Sequence, residues 1–246
     1  MKGGDWLWVG TSGWHYDHWR GPLYPEGLAS KDMLAFYAEH FRTVEINSSF
    51  YRLPAPETLD RWGEAVPAGF VFSVKASRYL THMKKLKDPE QGLDKLLSRV
   101  ERLGDRLGPI LFQLPPRWRV DVDRLDRFLS ALCREHRYAF EFRDASWFDP
   151  RVYRCLARHD AAFCIYELAG ESSPREVTTT DFVYVRLHGP GAAYQGRYDT
   201  RTLAVWAGKL LEWAREGRRV FCYFDNDEAG HAPLDALRLR GMLESF

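Results

Sequence analysis

The stretch Val183-Tyr184-Val185-Arg186-Leu187-His188 alternates apolar and polar side chains at every second position. This period is that of a β-strand, in which successive side chains point to opposite faces. The two valines and Leu187 suit packing against helices, so we predict that Tyr184, Arg186 and His188 point to the other side. In a closed barrel of parallel strands, that other side is the interior.

Seven more apolar runs of strand length recur along the chain, and most gaps between them carry the periodicity of a helix. The predicted strands are Trp6–Thr11, Thr43–Asn47, Phe70–Lys75, Pro109–Gln113, Tyr138–Arg143, Ala161–Tyr166, Phe182–His188 and Arg219–Asp225. The predicted helices are Asp32–His40, Pro56–Glu64, Pro89–Leu107, one that starts at Asp121, Pro150–Arg158, Thr200–Glu216 and Pro233–Leu243. The polar gap Glu167–Thr180 predicts at most a short helix, and Ser30 is the expected N-cap of the first helix.

Strands that alternate with helices predict parallel pairing through right-handed crossovers. Eight such units in 246 residues match a TIM-type (βα)₈ barrel, a fold of about 250 residues. We therefore predict one α/β domain over residues 1–246, a barrel of parallel strands with a pocket at the C-terminal ends of the strands. An open doubly wound sheet is the alternative, but no Gly-x-Gly-x-x-Gly follows an early strand.

Charge balance, cysteine spacing and the first residues of the sequence indicate which partners and which compartment to expect. Lys and Arg total 35 against 34 for Asp and Glu, so overall charge does not favour non-specific attraction to nucleic acid or membranes. The four cysteines form no Cys-x-x-Cys pair, which is typical of reduced thiols in a cytosolic protein rather than of disulfides or a zinc site. Residues 1–5 lack the apolar core of a signal peptide. We expect a cytoplasmic protein with no membrane partner, and the oligomeric state stays open.

Alternation on four other strands also sends polar side chains inward, toward the carboxyl ends where barrel enzymes place their sites. A buried charge is costly unless it is paired or bound to a ligand, so this repeated pattern predicts a functional site. The predicted catalytic residues are Glu45, Lys75, Glu141 and His188. The predicted substrate-binding residues on the strands are Asn47, Gln113, Arg143, Arg186, Tyr223 and Asp225. The structural alternative is a closed network of ion pairs, such as Glu45 with Lys75 and Glu141 with Arg143.

Loops that follow the strands add rings and hydroxyl groups to the predicted site. The predicted substrate-binding residues in these loops are Ser12, Trp14, Tyr16, Tyr51, Trp147 and Asn226. The loop Gly10–Tyr16 is expected either to present backbone N–H groups to an anion or to form a tight turn. For Asn226 and Asp227, capping of the last helix is the competing role.

Several of these segments carry the pattern of a known family. They are Gly10–Trp14, Val44–Tyr51, Phe72–Lys75, Phe112–Pro116, Glu141–Trp147, Tyr184–Gly189 and Tyr223–Asn226, in order along nearly the whole chain. In them the chain resembles the domain of unknown function 72 family, the YecE-like proteins. The resemblance implies a TIM-barrel fold and no particular reaction. The family is expected to favour Asn at the position of Asp225, so the resemblance does not imply a carboxylate there.

The leading functional prediction is a hydrolase or lyase that uses acid–base catalysis on an anionic substrate, either phosphorylated or derived from nucleic acid. Lys75, Arg143 and Arg186 would bind the anion, and rings in the loops would stack on a base. Glu45 or Glu141 would act as the general base, with His188 as the acid.

Three alternatives stay open. A metal-dependent hydrolase or isomerase would use Glu45, Glu141, His188 and Asp225 as ligands, although the nearby cations would oppose a divalent metal. A glycoside hydrolase would use Glu45 and Glu141 as its carboxylate pair. A binding protein without turnover would keep the pocket for a small ligand or nucleic acid. No cofactor is predicted, and a divalent metal enters only with the first alternative.

Overall fold

The computed structural model describes residues 6–174 and 177–245. Residues 1–5, on which the expectation about a signal peptide depended, lie outside the described residues. Contacts between residues group the chain into two compact units. The first unit contains the described residues within 1–45, 165–175 and 181–246, and the second those within 46–164 and 176–180.

Strands and helices alternate along the described chain, as the sequence predicts. The strands are β1 (Leu7–Thr11), β2 (Thr43–Ile46), β3 (Val71–Lys75), β4 (Leu107–Gln113), β5 (Tyr138–Glu141), β6 (Ala162–Leu168), β7 (Glu171–Ser172), β8 (Phe182–Leu187) and β9 (Arg219–Phe224). The helices are α1 (Met33–His40), α2 (Pro56–Glu64), α3 (Glu90–Val100), α4 (Val122–Ser130), α5 (Pro150–Arg158), α6 (Thr200–Arg215) and α7 (His231–Glu244). Each of the eight predicted strands is present, with ends that differ by one or two residues.

The predicted helix Pro89–Leu107 is wrong in its second half. α3 ends at Val100, and a 3₁₀ segment, Glu101–Arg106, leads from it into β4. Gly104 lies within this segment at a φ of 53°, a conformation that glycine adopts without a side-chain clash. The chain therefore leaves the helical path at Gly104, and Leu107 becomes the first residue of β4.

The expected N-cap of the first helix needs correction. Ser30 does not cap α1, because it opens a 3₁₀ turn over Ser30–Asp32 and α1 begins at Met33. In the gap Glu167–Thr180, where the sequence predicts at most a short helix, the described residues contain the two-residue strand β7 and no helix. β7 pairs antiparallel with the end of β6, Glu167 opposite Ser172, so the polar gap starts as a hairpin.

The first unit is built on a parallel sheet in which β9 lies between β1 and β8. Tyr223 on β9 is in register with both Gly10 and Arg186. Ser12, just beyond β1, forms a parallel bridge with Glu45 on β2. α6 buries Leu203, Trp206 and Leu210, the apolar face that its helical spacing predicts.

The second unit carries β3, β4, β5 and the start of β6 as consecutive parallel neighbours. Gln113 on β4 is in register with Glu141 on β5. Asp121 caps α4 by accepting a hydrogen bond from the Arg124 N–H at 3.0 Å, which fixes the helix start where the sequence predicts it. The buried face of α4 consists of Leu125, Phe128 and Leu129.

Within residues 6–174 and 177–245, no helix is both long enough and apolar enough to span a lipid bilayer.

Candidate functional site

A buried hydrogen-bonded cluster lies at the carboxyl ends of strands in the first unit. We call it the Arg186 cluster, and its members are Ser12, Glu45, Tyr184, Arg186, His188 and Asp225. Arg186 Nη2 contacts two carboxylates, Glu45 Oε1 at 2.8 Å and Asp225 Oδ2 at 2.9 Å. The guanidinium therefore holds together the ends of three strands that are distant in the sequence.

Both carboxylate oxygens of Glu45 are hydrogen-bonded within the Arg186 cluster. Besides Arg186, Glu45 accepts from the Ser12 hydroxyl at 2.5 Å and from the Tyr184 hydroxyl at 2.7 Å. Burial raises the pKa of Tyr184 well above its usual value, and the negative charge of Glu45 adds to the shift. Tyr184 therefore acts as a hydrogen-bond donor to Glu45.

His188 and Asp225 form a close pair, with Nδ1 of the ring 3.0 Å from Asp225 Oδ2. The other ring nitrogen, Nε2, lies 3.4 Å from Arg186 Nη1, which is always a donor. These two contacts fit a neutral ring that donates from Nδ1 and accepts at Nε2. An oriented His–Asp pair of this kind is a common device for moving a proton.

The alternation argument accounts for which residues meet in this unit. Glu45, Tyr184, Arg186 and Asp225 all occupy positions predicted to point inward, and their side chains touch. Tyr223 belongs to the same set, and its hydroxyl lies 2.7 Å from Thr43 Oγ1. Its ring also contacts that of Tyr184, with centroids 5.3 Å apart.

Access to the Arg186 cluster is uneven. The side chains of Glu45, Arg186 and His188 are 0% exposed, whereas that of Asp225 is 9% exposed. Ser12 and Tyr184 are also buried. Among the six residues, Asp225 is therefore the one that a ligand can reach without any movement of the chain.

The environment of Asp227 was not predicted from the sequence, in which capping of the last helix was its competing role. The Trp19 indole N–H donates to Asp227 Oδ1, and His18 Nε2 lies 3.2 Å from Asp227 Oδ2. Burial raises the pKa of Asp227 from 3.8 to about 6, and the charge of Asp225 contributes to the increase. A carboxyl group with this pKa exchanges protons near neutral pH.

The loop after β1 uses its first backbone N–H groups within the fold. Those of Ser12 and Gly13 donate to Phe224 O and Glu45 O, both at 2.8 Å. The tight-turn interpretation therefore fits this part of the loop better than anion binding. Trp14 is buried, and the half-buried Tyr16 donates its hydroxyl to Ser12 O at 3.0 Å.

A second charged group lies in the second unit, at the end of β5. Arg143 Nε donates to Glu141 Oε1, and the thiol of Cys164 lies 3.9 Å from Glu141 Oε2. Glu141 is fully buried, while the Arg143 side chain is 7% exposed. This pair is the ion-pair arrangement that the sequence analysis considered as the structural alternative.

Lys75 is placed differently from the other predicted catalytic residues. Its ammonium lies 4.5 Å from the centre of the Phe50 ring, a cation–π contact, and its carbonyl accepts from the Ser49 hydroxyl at 2.6 Å. The pairing of Glu45 with Lys75 stays a prediction.

Other predicted binding residues of the second unit differ in their surroundings. Trp147 is fully buried, stacks on Phe142 with ring centroids 4.8 Å apart, and donates its N–H to Trp118 O. Asn47 precedes the turn Ser48–Phe50 and accepts the Phe50 N–H on its backbone oxygen. By contrast, Tyr51 is 71% exposed.

Asn226, in the first unit, connects the end of β9 to α7. Its amide nitrogen donates to Asp235 Oδ2 and to Gly196 O, each at 2.9 Å. Asp235 is fully buried and also accepts the Tyr198 N–H, so these contacts give Asn226 a clear structural role.

One group of potential metal ligands is found among the described residues, and none of its members is a predicted site residue. Asp126, Cys155 and His159 place one donor atom each within 4.8 Å of one another. Asp126 Oδ1 already lies 2.8 Å from His159 Nε2 and 3.1 Å from Arg158 Nη2. Burial raises the pKa of the Cys155 thiol, which disfavours the thiolate that binds metals. Ion pairing is sufficient to explain this group.

Comparison with known proteins identifies the family. The model of the family described as "Protein of unknown function DUF72" matches residues 8–245. The chain belongs to the DUF72 family. Its relatives include the UPF0759 protein YunF of Bacillus subtilis, 26% identical over 97% of this chain and 95% of that protein. The UPF0759 protein YecE of Escherichia coli is 31% identical over 58% of this chain and 50% of YecE.

Solved DUF72 structures match the chain along its whole length. A DUF72 family protein of Thermotoga maritima superposes with a TM-score of 0.89 at 29% identity, covering 97% of this chain and 99% of that one. A second, from Enterococcus faecalis, has a TM-score of 0.83 at 20% identity and covers 96% and 95%. The predicted TIM-type (βα)₈ fold class is confirmed.

Proposed function

We propose that this DUF72 protein is a hydrolase or lyase that works by acid–base catalysis, with Asp225 as the residue that contacts substrate. The observation that carries the proposal is the 3.0 Å contact between His188 Nδ1 and Asp225 Oδ2. It orients the reachable carboxylate of the Arg186 cluster, which can then accept a proton from a substrate and return it.

The rest of the Arg186 cluster serves to hold this pair. Arg186 holds Asp225 and Glu45 by contacting both, and Glu45 is fixed in turn by Ser12 and Tyr184. Because Glu45 is fully buried, we assign it a positioning role in place of the predicted role as general base. Asp225 takes the role of general base, and His188 orients it through the contact of Nδ1 with Oδ2.

The contacts of Arg186 also count against the metal-dependent alternative. Its Nη2 lies within 2.9 Å of one oxygen from Glu45 and one from Asp225, where a cation shared by the two carboxylates would have to bind. The glycoside hydrolase alternative is disfavoured because Glu45 and Glu141 are both 0% exposed. A carboxylate of that mechanism must touch the sugar.

The anionic substrate is a separate part of the proposal, and it depends on Lys75. Arg186 and Arg143 are each engaged with carboxylates. Lys75 is 7% exposed, and its ammonium lies 4.5 Å from the centre of the Phe50 ring. We therefore take Lys75 as the cation to test for contact with a substrate anion, and a phosphoryl group is the simplest anion to use.

The catalytic part is tested with chromogenic substrates, namely p-nitrophenyl phosphate, bis-p-nitrophenyl phosphate and p-nitrophenyl acetate. We expect turnover of at least one, and a loss in kcat/KM of about 100-fold or more in Asp225→Ala. Asp225→Asn removes the negative charge of this side chain but keeps its orientation, because the amide oxygen can still accept a hydrogen bond from His188 Nδ1. Asp60→Asn, which removes an exposed ion pair with Arg102, is the matched control and should keep full activity.

Three results would count against the proposal. These are no turnover of any of the three substrates, unchanged turnover in Asp225→Ala, and equal losses in Asp225→Ala and Asp60→Asn. Anion binding is followed separately by titrating inorganic phosphate in a calorimeter. If the parent chain and Lys75→Ala bind phosphate with the same affinity, the anionic-substrate part of the proposal is contradicted. The acid–base part is not affected by that result.

A further inference from the structure

A large open groove lies within the second unit, and none of its lining residues belongs to the Arg186 cluster. Its volume is ≈ 1450 Å³, above the range of about 300–1,000 Å³ that is typical of small-molecule pockets. The lining comes from the chain after β2, the chain after β3, and helices α2 and α3. An extended ligand suits these dimensions better than a compact one.

Two exposed tyrosines form part of the lining. Tyr51 is 71% exposed and Tyr79 is 43% exposed, although both are large and largely apolar. The Tyr51 ring stands edge-on against Phe50, with centroids 5.1 Å apart. Tyr79 opens the short helical segment Tyr79–Met83, and its N–H donates to Ser77 Oγ at 3.2 Å. Exposed rings held in this way offer stacking surfaces at little cost in conformational entropy.

The groove is also basic. Arg52, Lys95 and Arg99 line it against a single acidic lining residue, Asp94. The adjoining stretch 78–87 adds four more cations, Arg78, Lys84, Lys85 and Lys87, and contains no Asp or Glu. The ammonium of Lys84 lies 6.0 Å from the centre of the Tyr79 ring, which places a cation beside the stacking surface.

The environment of His82, within the same stretch, reflects this charge. Burial lowers the pKa of His82, and the positive charges of Lys75 and Arg78 lower it further. Two cations of this part of the second unit, Lys75 and Arg78, therefore oppose protonation of His82 in addition to its burial.

We propose that this groove binds single-stranded nucleic acid, with Tyr51 and Tyr79 stacking on bases and the surrounding lysines and arginines contacting phosphates. Stacking on aromatic rings beside a positively charged channel is how proteins hold single strands without reading sequence. A duplex buries its base faces and cannot use the rings. An acidic peptide would use the cations alone and leave both tyrosines unexplained. The proposal does not depend on the acid–base function assigned above.

The test is fluorescence anisotropy with labelled oligonucleotides of about 12 nucleotides, one of uridine and one of thymidine. We expect binding of both, with affinity lowered about 5- to 100-fold in Tyr79→Ala and in Tyr51→Ala, since stacking contributes about 1–3 kcal/mol per base. Tyr79→Phe keeps the ring and should bind like the parent chain. Lys95→Ala should lower the slope of log K against log salt by about 0.7, the loss of one phosphate contact on a single strand.

Controls are available within the chain. Tyr194 has the same exposed fraction as Tyr79, 43%, and lies in the first unit, so Tyr194→Ala should leave oligonucleotide binding unchanged. Because both groove tyrosines are exposed, their alanine variants should unfold at the same urea concentration as the parent chain.

Several outcomes would overturn the proposal. They are absence of oligonucleotide binding, equal competition by a duplex of the same length, equal loss in Tyr79→Phe and Tyr79→Ala, and equal loss in Tyr194→Ala. Equal competition by a polyglutamate peptide would show that the groove recognises negative charge without bases. The supporting result is binding of both single strands that duplex and polyglutamate do not displace, with affinity lost in Tyr51→Ala and Tyr79→Ala and kept in Tyr79→Phe and Tyr194→Ala.

Discussion

The indole N–H of Trp19 donates a hydrogen bond to the carboxylate of Asp227, 208 residues away in the sequence. Burial beside this indole raises the pKa of Asp227 from 3.8 to about 6. A carboxyl group whose pKa is higher in the folded chain than in the unfolded chain favours the fold while it is protonated. That contribution is complete below about pH 4 and is lost as the pH rises to about 6.

We therefore predict that Asp227→Asn removes a pH-dependent loss of stability. The free energy of unfolding of the parent chain, relative to that of Asp227→Asn, should fall by about 2–3 kcal/mol between about pH 4 and about pH 6. The Asn side chain can still accept the Trp19 N–H, so packing is preserved. Urea unfolding at several pH values measures the difference, and a difference independent of pH would contradict the assignment.

Asp60 provides a control, because its contribution to stability should change with pH in the opposite direction. Its hydrogen bond from Arg102 lowers the pKa of its carboxyl group, and its contribution to stability is present at neutral pH and lost in acid. The parent chain, relative to Asp60→Asn, should therefore lose stability as the pH falls below about 4. Asp60 and Asp227 thus differ in the direction of their pH dependence and in the pH range where it appears.

Arg186 should be the most costly member of the Arg186 cluster to remove. Arg186→Met leaves Glu45 and Asp225 buried near each other without the guanidinium that contacts both. Breaking a buried ion pair in this way costs about 3–5 kcal/mol. Arg151→Met, which breaks an exposed pair with Asp149, should cost less than about 1 kcal/mol. Urea unfolding measures the free energy of unfolding of both variants. A difference of less than about 1 kcal/mol between them would contradict the prediction.

Strand alternation indicates five of the six members of the Arg186 cluster, all except the loop residue Ser12. Tyr184, Arg186 and His188 follow one another at every second position of one apolar run, which is visible without any knowledge of distant contacts. Glu45 is found by the same local pattern. The prediction that these residues point to one side needed only the period of a strand.

Features that depend on distant partners could not be predicted. The pKa of Asp227 is set by burial and by Trp19, which lies on the loop after the first strand. The aromatic count of the sequence did not distinguish Trp147, which is fully buried, from Tyr51, which is 71% exposed. Alternation also left open which inward carboxylate keeps contact with solvent, and in the Arg186 cluster this is Asp225.

The thiols should differ sharply in reactivity. Cys133 is exposed, whereas Cys155, Cys164 and Cys222 are buried, and burial raises the pKa of the Cys222 and Cys155 thiols. Ellman's reagent should therefore modify one thiol rapidly in the folded chain and all four in urea. Cys133→Ser should abolish the rapid phase, and a rapid phase that survives in this variant would contradict the predicted burial of the other three.

Gly92 on α3 should resist replacement by alanine. A Cβ atom at this position would lie 2.5 Å from Leu80 Cδ2 and 3.2 Å from Leu80 Cγ. Leu80 is 1% exposed and cannot turn toward solvent without leaving the core, so the added methyl group forces a shift of the segment that carries Tyr79. We expect Gly92→Ala to destabilise the fold by about 1 kcal/mol, despite the better helix propensity of alanine.

Gly63 on α2 is the matched control, because a Cβ atom there would meet nothing within 4 Å. Gly63→Ala should stabilise the fold by about 0.5–1 kcal/mol through helix propensity alone. If Gly92→Ala proves as stabilising as Gly63→Ala, then Leu80 does not pack against α3 as closely as described here. If Gly92→Ala is destabilising and also weakens oligonucleotide binding while Gly63→Ala does neither, the packing of Leu80 on α3 and the placement of Tyr79 in the groove are linked.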